Sequence, residues 1–182
     1  NSKKMINNYL LAIDQFRQNL DYLKQTLYKN LSEDDLKELQ VQIFALMQEF
    51  PIEILYSELL EWSYIQQKDY KKALRQAKSI DLKLENNGER TFNIGNIAYN
   101  DEDYEIAIDA YSYITENYSI NSGYYLEAKR ALLNSKKNKI TKSFNYTKTD
   151  LLSLQGEYNS FLNDYGRNSQ TALLMIENAD FE

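Results

Sequence analysis

The sequence predicts an all-α protein built from repeated helix–turn–helix units, and three observations carry that prediction. An Asp-Tyr pair at Asp69 and Tyr70 recurs at Asp103 and Tyr104, an offset of 34 residues. Both tyrosines are followed, three and four positions later, by an alanine and an aliphatic residue, which is a helical spacing. With one proline and five glycines in 182 residues, helix-breaking residues are rare. A fixed period of 34 residues is typical of stacked helical pairs.

The composition excludes several classes of function. The chain contains no cysteine and no histidine, which excludes disulfides, thiol catalysis, Cys/His zinc sites and Ser-His-Asp triads. A net charge of −6 argues against nucleic-acid binding by the whole surface. No apolar run approaches the ~18 residues that a membrane-spanning helix needs, and no phosphate-binding loop motif occurs. We therefore expect no cofactor, no enzyme activity, no nucleic-acid partner and no direct membrane insertion.

The N-terminal region predicts helices before the clear repeats begin. Residues 4–29 have apolar residues three or four positions apart, either in one long helix or in two helices with a turn near Asp14–Asn19. Ser32 then has the character of an N-cap, with acidic residues in the first turn of the helix that follows. That helix is predicted to end before Pro51, because the residue before a proline avoids the α region.

Seven more helices are predicted after Pro51, over residues 52–67, 69–85, 89–99, 103–117, 124–137, 150–165 and 169–180. Gly88, at the end of an Asn-Asn-Gly sequence, suits a left-handed C-cap of the second of these helices. The period slips in the C-terminal half. Asp150 lies 47 residues after Asp103, so 13 residues are inserted relative to the repeat.

The segment 88–121 carries the clearest repeat pattern, with Ile94-Gly95 at repeat positions 7–8, Tyr104 at 17, Ala107 at 20 and Tyr111 at 24. In this pattern the chain resembles the tetratricopeptide (TPR) family. The resemblance implies antiparallel helix–turn–helix repeats stacked as a right-handed α–α superhelix, a solenoid of about 8–9 helices. A glycine inside a helix costs ~1 kcal/mol relative to alanine, so Gly95 is expected where the paired helix approaches, with Ala107 facing it.

The resemblance also implies a domain organisation. Because the sequence begins with Asn1 rather than Met, we expect residues 1–182 to be a single TPR-like domain cut from a longer array. The clearest repeats are expected at 54–87 and 88–121, an irregular repeat containing the 13-residue insertion at 122–168, and a half repeat at 169–182. Several stretches look like the middle of long bacterial TPR proteins that carry a signal peptide: Trp62–Tyr70, Asn86–Arg90, Tyr146–Leu152 and Tyr165–Asn168. This likeness implies an extracytoplasmic parent protein, in the periplasm or cell envelope.

A candidate binding groove follows from the resemblance. In TPR arrays, repeat positions 2, 5, 9, 12 and 13 of each first helix line the concave surface. Carried over to this sequence, these positions are Glu58, Trp62, Ile65, Gln66, Phe92, Asn96, Tyr99, Asn100, Leu126, Arg130 and Asn134. The set includes the only tryptophan of the chain, and aromatic residues are favoured binding anchors. Alternatively, Trp62 packs against a neighbouring repeat.

Three functions are compatible with these features. The first is a non-catalytic scaffold that binds a protein or peptide partner through the concave face. The second is a self-associating structural segment of a larger envelope protein. The third is an enzyme with a carboxylate site, but no pair of acids stands out from the other acids on helix surfaces. The acidic turn Asp101–Asp103 has the pattern of an ordinary connection between helices.

Two further segments have a functional and a structural interpretation. Residues 128–149 contain seven bases and no acid, a pattern that indicates either an acidic partner or a solvated helix end and loop. The last predicted helix, 169–180, fits the first helix of another repeat, and with Leu173, Ile176 and Phe181 it has no polar cap. An uncovered helix of this kind is expected to expose an apolar patch and to mediate self-association.

Overall fold

A computed structural model of the chain describes residues 2–12, 20–143 and 146–179, and within these ranges it contains helices and turns but no strand. The ten helices in this part of the chain are α1 (Ser2–Leu11), α2 (Leu20–Asn30), α3 (Glu33–Glu49), α4 (Ile54–Gln66), α5 (Tyr70–Leu84), α6 (Glu89–Asn100), α7 (Tyr104–Asn117), α8 (Tyr125–Lys142), α9 (Lys148–Tyr165) and α10 (Ala172–Ala179). The all-α prediction is therefore confirmed. The right-handed superhelical stacking and the repeat boundaries stay predictions.

Most predicted helix ends lie within a few residues of the observed ones. Two helices, α1 and α2, stand on either side of residues 13–19, so the proposed turn near Asp14–Asn19 lies outside the described residues. The helix predicted over 124–137 continues to Lys142. The helix predicted to start at residue 150 starts at Lys148, because Thr147 and Asp150 form a capping box in which each side chain accepts a hydrogen bond from the other residue's amide.

The chain divides into two compact units, residues 1–80 and 81–182, and α5 contributes to both because the division falls after Ile80. In the first unit α1 packs on α3, and both α2 and α3 contact α4. Helix α4 is the most buried element of this unit, with eight buried residues among its thirteen. In the second unit each helix from α6 to α10 packs on its neighbour in the chain.

The recurring Asp-Tyr pair marks a turn with the same geometry in both copies. Lys68 and Glu102 each adopt a left-handed conformation, with φ of 56° and 66°. The amide of the following aspartate donates to a carbonyl five residues back, at 2.9 Å in each case. The carboxylates of Asp69 and Asp103 then accept from the amide three residues ahead, at 3.2 Å. The 34-residue period is therefore a repeated combination of C-cap and N-cap.

Gly88 has the expected left-handed conformation, with φ of 85°, but the prediction that it caps the end of α5 is wrong. Glu85, with φ of 55°, occupies that position, and the next amide donates to the carbonyl of Asp81. Gly88 is instead the N-cap of α6 and has no side chain to offer. The buried carboxylate of Asp81 replaces it, accepting hydrogen bonds from the amides of Arg90 at 3.1 Å and Thr91 at 2.8 Å.

Gly95 lies where α7 approaches α6, as its repeat position predicts. A Cβ atom on Gly95 would lie 2.6 Å from Cε1 of Tyr111 and 3.1 Å from Cβ of Ala110. The three nearest atoms belong to these two residues, and the expected pairing of Gly95 with Ala107 stays a prediction. Ala107 is fully buried. The ring of Tyr111 is held by its own hydrogen bond, from its hydroxyl to Oδ1 of Asn96 at 2.7 Å.

We expect Gly95→Ala to destabilise the protein, even though alanine is the better helix former by ~1 kcal/mol. The added methyl group would overlap the ring of Tyr111, which is fully buried, and overpacking of this kind costs ~1–3 kcal/mol. Gly156, within α9, is the matched control, because nothing lies within 4 Å of its added Cβ. Thermal unfolding should show Gly156→Ala at or above the wild-type midpoint and Gly95→Ala below it. A Gly95→Ala midpoint equal to that of Gly156→Ala would contradict the close approach.

We expect Asp81→Ala to cost roughly 2–4 kcal/mol of stability, because two hydrogen bonds to a charged group are lost and the buried amide of Thr91 is left without a partner. The control is Asp103→Ala, which removes a single capping bond and should cost ~1 kcal/mol. Urea unfolding measures both free energies. Equal losses in the two variants would show that the buried carboxylate is not the special cap of α6.

Candidate binding cleft

The structure keeps all the predicted groove residues out of the hydrophobic core. Asn100 and Arg130 are exposed, and the other nine are half-buried. Four of the eleven lie on α4 in the first unit, and seven lie on α6 and α8 in the second. Partial exposure is compatible with a binding surface, but the concave arrangement of the whole set stays a prediction. The side chains differ most in whether they form hydrogen bonds or packing contacts with other residues of the chain.

The three predicted groove residues on α8 contact other parts of the second unit. Nε of Arg130 and Nδ2 of Asn134 both donate to Oε1 of Glu177 on α10, at 2.6 and 3.0 Å. Leu126 packs against the apolar cluster formed by α8, α9 and α10. Arg130 and Asn134 therefore hold a carboxylate, but one that belongs to the chain itself.

The residues on α6 are engaged in a similar way. Asn96 accepts from the hydroxyl of Tyr111, and burial raises the pKa of that phenol well above its usual value. Tyr99 accepts from Nδ2 of Asn138 at 2.6 Å. The ring of Phe92 lies about midway between two tyrosine rings, with centroid distances of 5.6 Å to Tyr111 and 5.5 Å to Tyr124. These side chains stabilise the packing of α6 against its neighbours.

Trp62 and Gln66 on α4 have a different environment. They are four residues apart and so lie on one face of the helix, where they line an open cleft of about 490 Å³. Its described lining residues are Asp21, Lys24, Gln25, Tyr28, Trp62 and Gln66. On α4, Trp62 and Gln66 alternate with residues that point into the core, since Leu59, Leu60 and Tyr64 are buried. The fully buried Leu23 and Leu27 anchor α2 in the same way and leave its neighbouring residues at the surface.

None of the six lining side chains forms a hydrogen bond, an ion pair or a ring contact with another residue in the described part of the chain. This separates the cleft from the others. In the cleft between α1 and α3, Lys3 pairs with Glu38 and Gln42 also donates to Glu38. In a cleft of about 450 Å³ beside α8 and α9, Lys136 pairs with Glu157. The Trp62 cleft alone among these presents its polar groups unengaged.

Sequence reasoning found the α4 side of this cleft and missed the α2 side. Asp21, Lys24, Gln25 and Tyr28 lie before the first recognisable repeat, so no repeat position could be assigned to them. Their 3- and 4-residue spacing was a usable signal, because it places them together on the polar side of an amphipathic helix. The spacing could not show which helix they face.

Four of the seven bases in the stretch 128–149 form ion pairs within the second unit. Lys136 pairs with Glu157, Lys139 with Glu105, and Lys142 with Glu102. Arg130 contacts Glu177. These bases of α8 therefore face acids on α9, on α10, on α7 and in the turn before α7. The two interpretations of the stretch, an acidic partner and a solvated helix end and loop, stay predictions.

A smaller cleft of about 290 Å³ lies between α8 and α9. The ammonium of Lys129 lies 5.5 Å from the ring centroid of Phe161. Burial lowers the pKa of Lys129. The hydroxyls of Tyr125 and Tyr165 are hydrogen-bonded at 3.2 Å, and burial raises the pKa of Tyr125 to about 12. The aromatic and cationic groups that line this cleft are thus engaged with one another.

Within the described ranges, no group of three or more acidic side chains is arranged to hold a metal ion, and no helix is long and apolar enough to cross a membrane. Comparisons with protein families, with characterised proteins and with solved structures find no match to the chain. The resemblance to TPR proteins therefore rests on the residues quoted above and stays a prediction. The unengaged cleft at Trp62 is the feature of the described structure that most closely fits a binding site.

Proposed function

We propose that the protein is a non-catalytic scaffold that binds a protein or peptide partner through the face containing Trp62. The observation that carries this proposal is the cleft at α2 and α4, in which six aromatic and polar side chains have no partner within the described chain. Two of the six, Trp62 and Gln66, are also positions that the TPR resemblance assigns to the groove.

The chemistry of the cleft supports binding. Its described lining offers two aromatic rings, two amides and one charge of each sign. Aromatic side chains are common anchors of protein interfaces, and an open cleft beside a half-buried tryptophan gives a partner a ring to cover. The extracytoplasmic location implied by the resemblance is part of the same proposal.

Selection from a random peptide library on the immobilised protein tests the scaffold function. We expect enriched peptides whose affinity falls at least about tenfold in Trp62→Ala, because hot-spot aromatic residues contribute that much or more. Val41→Ala is the control, since Val41 is an apolar residue, 64% exposed, on α3 of the same unit and does not line the cleft. Enriched peptides that bind Trp62→Ala as tightly as the wild-type protein would refute the proposal.

A second candidate function is self-association through α10, and one observation favours it. Leu173 and Ile176, three residues apart on this helix, are 53% and 64% exposed, while Leu174 on the other side is buried. Two exposed apolar side chains on one face of a helix can pack against a helix of another copy of the chain. Phe181, which was predicted to belong to the same patch, lies outside the described residues.

If α10 mediates self-association, light scattering at ~100 μM should detect a dimer or larger species, because a modest apolar interface reaches ~μM affinity. Ile176→Glu should then restore the monomer, since a charge would be buried in the contact. Leu152→Glu is the control, because Leu152 on α9 is also 53% exposed. A strictly monomeric wild-type protein at that concentration would rule this second candidate out.

A further inference from the structure

We infer that the Trp62 cleft binds a proline-rich segment in the polyproline II conformation, flanked by a basic residue. This inference rests on the scaffold function proposed above and adds the chemical class of the partner. It follows from three properties of the described lining: its aromatic rings, its hydrogen-bond donors and its one carboxylate.

The aromatic part of the cleft consists of Trp62 on α4 and Tyr28 on α2. Trp62 is half-buried and Tyr28 is 68% exposed, so each has ring surface available to a ligand. The described lining contains no aliphatic residue. Proline rings pack on flat aromatic surfaces, and proline-rich segments characteristically dock into aromatic-lined grooves.

The polar part of the cleft is rich in donors. Gln25 and Gln66 offer amide N–H groups, Lys24 an ammonium, Trp62 its indole N–H and Tyr28 its hydroxyl. A proline residue has a backbone carbonyl but no backbone N–H, and in polyproline II these carbonyls are not used within the segment. The free carbonyls of such a segment can accept hydrogen bonds from these donors.

The negative charge of Asp21 is the reason to expect a basic residue next to the proline-rich segment. Its carboxylate is exposed at the edge of the cleft and has no ion pair in the described part of the chain. It is the one purely acceptor side chain among the six, and a lysine or arginine beside the proline-rich segment would complement it. Lys24, the other charged residue of the lining, is half-buried and serves as a donor to carbonyls.

The other common modes of peptide recognition fit less well. An amphipathic helix needs a groove of apolar side chains for its i, i+3, i+4 and i+7 anchors, and the described lining has two rings and no aliphatic group. Addition of a strand needs an open sheet edge, and the described residues contain no strand. A phosphorylated or acidic motif needs a cluster of arginines, and Lys24 is the single base of the described lining.

Because Trp62 is the only tryptophan of the chain, its fluorescence reports directly on the cleft. The probe is a synthetic peptide of roughly ten residues with P-x-x-P spacing and one flanking arginine. The matched peptide has alanine at every proline. We expect the proline peptide to change the Trp62 emission with a Kd on the order of 1–100 μM, and the alanine peptide to bind at least about tenfold more weakly.

Variants of the protein then locate the site. Tyr28→Ala and Gln66→Ala should each weaken binding of the proline peptide at least about fivefold while leaving the reporter in place. Tyr22→Ala is the matched control, because Tyr22 is an exposed tyrosine on the same helix that does not line the cleft, and it should bind like the wild-type protein. Circular dichroism confirms that each variant is folded.

Several results would overturn the inference. Equal affinity for the proline and alanine peptides would exclude polyproline recognition, and affinity that is unchanged in Tyr28→Ala would move the ligand out of the cleft. A response to soluble oligosaccharides with none to the peptide would assign the same rings and amides to a carbohydrate. Library peptides that depend on Trp62 but contain no proline would refute the inference and leave the scaffold function intact. Failure of the scaffold function itself would appear as the absence of any Trp62-dependent peptide.

Discussion

Backbone hydrogen bonding at the helix ends is the constraint on which the rest of the structure depends. A helix leaves its last carbonyls and first amides without partners, and a three-residue turn must satisfy both sets. Left-handed Lys68 and Glu102 return the next amide to the end of the preceding helix, and the aspartate that follows each caps the next one. Because this turn recurs after 34 residues, the chain reverses in the same way twice. The apolar faces of α6 and α7 then meet closely enough to require Gly95.

The sequence was sufficient to predict the helices but not the contacts between residues far apart in the chain. Apolar periodicity and an aspartate at each turn are local signals, so most helix ends were predicted to within a few residues. The cap supplied by Asp81 was not predictable, because it acts across a loop on amides nine and ten residues ahead. Thr147 could have been recognised, since Thr-x-x-Asp has the pattern of a capping box. The α2 side of the binding cleft was missed because only the packing of α2 on α4 brings it to Trp62.

The charge pattern is a second case in which the sequence does not show which residues contact each other. No base lies between Arg90 and Lys129 and no acid between Glu127 and Asp150, so acidic and basic stretches follow each other along the chain. The sequence alone is compatible with an acidic partner or with a solvated helix end and loop. In the fold, α8 turns its bases toward acids on neighbouring helices, and these exposed pairs stabilise the protein only slightly. A shifted pairing of α7 and α8 would separate these opposite charges, so the pairs favour the observed register.

The side chains of the Trp62 cleft, which form no hydrogen bond, ion pair or ring contact in the described part of the chain, have no structural explanation of that kind. Elsewhere in the described chain, polar groups near clefts are used in packing, as Arg130 and Asn134 are with Glu177. The groups beside Trp62 are hydrated and cost little stability, because water satisfies them in the absence of a ligand. They also add little stability, so the fold does not account for this combination of rings and donors. Trp62 in particular exposes apolar surface that a larger core contact could have buried. The binding partner proposed above would account for these residues.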